Sequence, residues 1–174
     1  MASSSFSLCS SLILCIVCAF LAIQTGSNPL ADVCAKTGDL AFCLIVLNDF
    51  SHLNLHDLTQ ATINLAGANA SAIGAKIEIL LRRTENQTLE STYILCSNYY
   101  SEAIRKFYSA KQYMKMGQYE NVYIAAIVIA NDAYNCQRAF ELYFGYDLII
   151  AKENDNFEKI SSIVVSAASL LLHP

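Results

Sequence analysis

Histidine is the side chain most often used to move a proton or hold a metal near neutral pH, and this sequence contains three, His52, His56 and His173. The four-residue spacing of His52 and His56 would place two imidazoles on one helical face, which is half of a zinc site. Ser51 to Asp57 reads instead as the connection into a long helix, and no free cysteine or third histidine is spaced to complete a coordination shell. Solvated histidines and no metal are therefore expected. Glu153 and Asp155 are the nearest thing to an acid–base pair. They fit a solvated helix face better, because no convergent polar groups accompany them. None of the six glycines forms a phosphate-binding motif. The residues point away from an enzyme and away from any cofactor.

Cysteine is the more informative type. Cys34 and Cys43 bracket Gly38, so a short helical hairpin turning there brings the two sulfurs level. Cys96 lies 21 residues before Gly117 and Cys136 lies 19 after it. At the α-helical rise both would sit roughly 30 Å from a turn at Gly117, on antiparallel helices and at matching height. Two bridges, Cys34–Cys43 and Cys96–Cys136, are geometrically reasonable on spacing alone. In the chain-entropy model they would contribute roughly 3 and 4 kcal/mol. The other cysteines, Cys9, Cys15 and Cys18, fall within residues 1–27, a stretch without a charged side chain. Its apolar run from Leu12 to Ile23 is too short to span a bilayer and is followed by Thr25, Gly26 and Ser27, the pattern of a signal peptide cleaved near Ser27. Secretion into an oxidising compartment, with disulfides, is the expectation.

Residues 28–174 make one domain, long enough to bury a core. The net charge of −4 and pI near 5.3 argue against a nucleic-acid partner and suit a basic one. Two sequons, at Asn69 and Asn86, are glycan candidates, and Asn86 is the better placed because it lies in a polar stretch between helices.

Apolar spacing alternates between three and four along four segments, the signature of helix seams. The first runs Ile63, Ala66, Ala70, Ile73, Ile77, Leu80. The second runs from Leu89 through Tyr93, Cys96, Tyr100, Ala103, Phe107 and Ala110 to Met114, and Met116-Gly117-Gln118 stops it. The third runs Val122, Ala126, Ile129, Ala133, Cys136, Phe140, Tyr143, ending at Gly145, and the fourth runs Phe157, Ile160, Val164, Ala167, Leu171. Pro29 and Pro174 lie outside all four. The fold class read from this pattern is all-α: an up-down-up-down four-helix bundle, preceded by a hairpin over about Leu30 to Asn48 that is pinned by Cys34 and Cys43. Ten tyrosines crowd the second and third helices and their ends. Those off the seam, such as Tyr99, Tyr119 and Tyr123, are expected to expose aromatic surface of the kind interfaces use.

The same residues resemble the plant invertase and pectin methylesterase inhibitor family over about Asn28 to Leu172. The resemblance rests on the Cys34–Cys43 hairpin, the stretch from Tyr93 to Ile104, Gly117-Gln118-Tyr119 with Cys136 seventeen residues later, and the apolar last helix. It implies a secreted, non-catalytic protein of the cell wall that blocks the active-site cleft of a carbohydrate-active enzyme 1:1, without a membrane association once the signal is removed. Pectin methylesterase is the favoured target, since invertase-directed members tend to carry Pro-Lys-Phe where this chain has Gly117-Gln118-Tyr119. The alternatives are a cell-wall or vacuolar invertase, or a member without inhibitory activity. A lipid-binding bundle is a further alternative, but the saposin-like and lipid-transfer chains use six or eight cysteines. The positions matching partner contacts are Asn98, Glu102, Arg105, Gln118, Asn135 and Arg138, with Tyr99 and Tyr123 nearby. Among them only Glu102 keeps an acidic charge where the family favours several, and Gln137-Arg138 replace an acidic pair after Cys136.

Overall fold

The computed structural model describes residues 28–144 and 148–173. The expected signal segment, the helix stop at Gly145, Tyr146 and the side chain of Tyr143 lie outside the described residues. Six helices follow in order: α1 (Pro29–Ala35), α2 (Leu40–Leu47), α3 (Leu55–Leu81), α4 (Gln87–Lys115), α5 (Tyr119–Phe144) and α6 (Leu148–Leu172), with a 3-10 turn at Asn48–Phe50 after α2. No strand occurs among the described residues.

Side-chain caps start four of these helices. Asn28 caps α1 with Pro29 at the first helical position, where its missing N–H costs nothing. Asp39 accepts from the Phe42 N–H at 3.0 Å, Asn54 from the Asp57 N–H at 2.9 Å, and Asn86 from the N–H groups of Thr88 and Leu89, both at 3.0 Å. At the other end of α4, Gly117 takes φ +67°, the left-handed conformation that glycine adopts without a Cβ penalty. Its N–H reaches Met114 O at 3.1 Å and the Gln118 N–H reaches Tyr113 O at 2.9 Å, so a Schellman motif satisfies the last carbonyls. The Met116-Gly117-Gln118 stop expected from the sequence is therefore real.

Helices α3 to α6 form a ring in which α4 packs on α3 and α5, and α6 packs on α5 and α3. Their directions alternate. Tyr93 meets Phe140 while Cys96 meets Cys136, and Gly67 approaches Phe107 while Gly74 approaches Tyr100 and Ile104. In each pair of helices one number rises as the other falls. The seam residues of all four segments make the core: Ile63, Ala66, Ala70, Ile73 and Ile77 from α3, Tyr93 through Met114 from α4, Val122 through Phe140 from α5, and Phe157, Ile160, Val164 and Ala167 from α6 are buried. Leu80, Leu89 and Leu171, at the ends of the seams, are only partly covered.

Both bridges form as the spacing indicates, Cys34 to Cys43 with Cα atoms 5.4 Å apart and Cys96 to Cys136 with 4.9 Å. The first closes the α1–α2 hairpin, which covers the ends of α3 and α6 through a second apolar cluster of Leu30, Val33, Leu47, Leu58, Ile163 and Ala167. The second ties α4 to α5 within the core.

Candidate functional site

The α4–α5 flank is built by the Cys96–Cys136 bridge. Because the helices run antiparallel from that point, Asn98 stands near the level of Asn135, and Glu102 and Lys106 approach Asp132. Asn98, Arg105, Asn135 and Arg138 are exposed on this flank and Glu102 is half-buried in it. Five of the expected contact positions thus lie on the two bridged helices, with Glu102 between them. Gln118 is exposed at the turn between the two helices, near the far end of the bundle, and accepts a hydrogen bond from the Asn121 side-chain amide at 3.1 Å. Tyr123 is elsewhere. It lies seven residues, two helical turns, before Ala130, which lines the α5–α6 groove with Ser162, Val165 and Ser166.

The charges of the flank are paired among themselves. Glu102 accepts from the Arg105 guanidinium and stands 3.6 Å from Lys106 Nζ. The hydrogen bond from Arg105, with Lys106 adding its charge, holds the Glu102 carboxyl below its usual range. Arg138 donates to Glu141 at 3.1 Å. Asp132 was not apparent from the sequence. It falls between Ala125 and Ala139, seven residues from each, on the strip of α5 that faces α4, and one of its carboxylate oxygens is buried without a hydrogen-bond partner. Burial first, and then the Glu102 charge against the opposing Lys106, push its pKa up to about 6.

The tyrosines differ from expectation. Tyr99, Tyr119 and Tyr123 are half-buried and pack against the core, because each leans into the contact between neighbouring helices. Among the described residues the exposed tyrosines are Tyr108 at 70% and Tyr134 at 50%, both on solvent faces.

Elsewhere the candidate chemistry is dispersed. Glu153 pairs with Lys76 of α3, and Asp155 with Lys159 at 3.1 Å, so the two carboxylates serve different neighbours. Lys159 also reaches Asp39 at 3.5 Å and lies 5.5 Å from the Phe42 ring centre, which ties the hairpin to α6 beside a 410 Å³ cavity. Asn54 caps α3 earlier than the sequence suggested, so His56 belongs to the first helical turn, where it contacts Asp57 at 3.2 Å and the Tyr119 ring edge. Among the described residues no three His, Cys, Asp or Glu side chains come together as a metal site.

Of the sequons, Asn86 is exposed at the start of α4, whereas Asn69 is half-buried inside α3.

Comparison with known proteins bears on this arrangement directly. The sequence pattern of the family described as plant invertase/pectin methylesterase inhibitor matches residues 28–166. A pectinesterase inhibitor of Actinidia deliciosa is 26% identical over 152 residues, which make up 86% of this chain and 82% of that protein. The crystal structure of a mutant form of a pectin methylesterase inhibitor from Arabidopsis superposes with a TM-score of 0.77 at 19% identity, covering 83% of this chain and 97% of that one. A second pectin methylesterase inhibitor structure, from Arabidopsis thaliana, gives 0.65 at 18% identity, with 84% and 98% covered. At those identities the structural likeness speaks for the fold alone. The family pattern spans most of the sequence, including both cystines and the α4–α5 flank, and the chain belongs to the plant invertase/pectin methylesterase inhibitor family.

Proposed function

We propose that this protein is a secreted inhibitor of pectin methylesterase, which it blocks 1:1 by laying the α4–α5 flank across the enzyme's active-site cleft. The observation that carries this reading is the likeness to a pectinesterase inhibitor over 86% of the chain. The Gly117-Gln118-Tyr119 turn, where invertase-directed relatives tend to have Pro-Lys-Phe, adds to it. Residues 1–27 serve as the signal peptide, and the two cystines suit a protein that works in the oxidising cell wall. Inhibition in this scheme needs no chemistry from the inhibitor. A rigid, bridged helix pair excludes substrate by occupying the cleft, and rigidity limits the entropy lost on binding. Asn98, Glu102, Arg105, Asn135 and Arg138 would make the contacts, with Gln118 at the rim.

The test is a parallel titration of the purified mature protein against a plant pectin methylesterase and an acid invertase at apoplastic pH. Inhibition of the first, with an equivalence point at one inhibitor per enzyme, is expected. Inhibition of invertase alone would reassign the target, and inhibition of neither across several isoforms would mark a member without inhibitory activity.

A further inference from the structure

On its proposed docking flank this acidic protein shows the solvent mainly positive charge. The Arg105 side chain is 73% exposed and that of its partner Glu102 is 30%; the Arg138 side chain is 52% exposed and that of Glu141 is 25%. In both pairs the carboxylate lies beneath and the guanidinium outside. Glu102 is further screened by Lys106, and Asp132 lies below it, almost fully covered. Three cations thus stand over two paired carboxylates on a chain whose net charge is −4. A cationic partner group reaching for Glu102 would have to displace two cations already there, whereas partner carboxylates would meet the Arg105 and Arg138 guanidinium groups each on its own.

Between these charges the surface is apolar. Leu95 of α4 and Ile124 and Leu142 of α5 are exposed, Leu142 at 69%. Isolated exposed apolar residues are ordinary, but these three stand on the same two bridged helices as the outward arginines, a mixture that interfaces use. Sequence alone singles out Glu102 as the steering charge and a basic enzyme as its target. The observed burial order reverses that polarity.

We propose that the α4–α5 flank selects a partner whose contact surface is apolar and acidic, so that among pectin methylesterases this protein takes acidic isoforms in preference to basic ones. Arg105 and Arg138 set that preference and Ile124 and Leu142 supply the apolar contact. The inference rests on the proposed function above and adds the charge class of the target to it.

Binding kinetics of the mature protein on one acidic and one basic pectin methylesterase isoform test it, at salt concentrations where the Debye length is about 20 Å and about 4 Å. The acidic isoform should bind at least about tenfold more tightly at low salt, with the difference shrinking at high salt. Arg105→Glu and Arg138→Glu should each slow association with it by roughly fivefold at low salt, and Glu102→Lys, which removes a negative charge from the contact and adds a positive one, should speed it. Leu142→Asp should speed dissociation at both salt levels. Thermal melts of these surface variants, unchanged from the parent, keep a folding defect from imitating the result. Tighter binding of the basic isoform, or slower association on Glu102→Lys alone, overturns this proposal and leaves the inhibitor reading standing. Binding to neither isoform overturns both.

Discussion

The Tyr100 hydroxyl on α4 donates a 2.7 Å hydrogen bond to Asn154 Oδ1 on α6, across the axis of the bundle. Asn154 has no exposed surface, and its amide nitrogen donates to Ala133 O at 2.9 Å and to Gln137 Oε1 at 3.2 Å on α5. One side chain therefore satisfies groups on two other helices, and its own donors and acceptor are all used. Burial, with the Glu153 charge adding to it, pushes the Tyr100 phenol well up, so it remains a donor throughout the range the protein meets.

Removing the centre of this network should cost more than removing its edge. Asn154→Ala leaves the Tyr100 hydroxyl and the Gln137 amide buried without it and is expected to destabilise by about 2–4 kcal/mol. Tyr100→Phe leaves only Asn154 Oδ1 unpaired and should cost about 1–2 kcal/mol. The double variant should lose less than the sum, because the two changes share one bond. Urea unfolding of the four proteins measures all three quantities, and strict additivity would mean that the bond contributes nothing.

Asn154 also shows where the sequence stops being legible. Its place on the α6 seam can be read from spacing, four residues after Ile150 and three before Phe157, but a polar residue there breaks the apolar pattern instead of announcing a partner. Periodicity reports which face a residue occupies and little about what stands across from it. For that reason the four seams, the hairpin and both bridges were readable from spacing and cysteine count, while the Tyr100–Asn154 bond and the buried Asp132 were not. Tyr99 and Tyr123 failed for a related reason. Each lies one helical step off the seam, where the neighbouring helix decides whether a ring is covered. Of the candidate contact surface, the helices and the outward positions were legible. The pairing of Glu102 with Arg105 and Lys106 follows i,i+3 and i,i+4 spacing, but which group lies beneath depends on rotamers that no spacing encodes.

Asp132 should make stability depend on pH in the mildly acidic range. Its pKa rises from 3.8 to about 6 on folding, so the fold favours the neutral acid. The resulting stabilisation is fully present below pH 3.8 and is lost as pH rises through about 6. Asp132→Asn, which mimics the neutral form, should match the parent near the lower value and exceed it above the higher one. Because the flank is open to solvent, the gain at neutral pH should be about 1 kcal/mol, well below what the full shift would give. For a domain of this size that is about 3 °C in Tm. Melting curves of parent and variant across this range would show the difference growing with pH. A constant offset would mean that Asp132 does not titrate there.

Glycan attachment should discriminate between the two sequons on structural grounds. Asn86 is exposed and uses only its Oδ1, which accepts from the Thr88 and Leu89 N–H groups at 3.0 Å, so a sugar on the amide nitrogen leaves the cap of α4 intact. Asn69 is half-buried within α3, its Oδ1 is covered and without a hydrogen-bond partner, and a bulky polar group would have to emerge between helices. Expression through a eukaryotic secretory pathway should therefore give one glycan, at Asn86, as read by the mass shift on enzymatic deglycosylation and by peptide mapping. Thr88→Ala removes that sequon while keeping the Asn86 cap, and should abolish the shift without a measurable change in Tm. Asn86→Gln should abolish it too, but at a cost of about 1 kcal/mol, because glutamine caps a helix poorly. A glycan that persists in Thr88→Ala would place the modification on Asn69 and require that part of α3 to be accessible when the sugar is added.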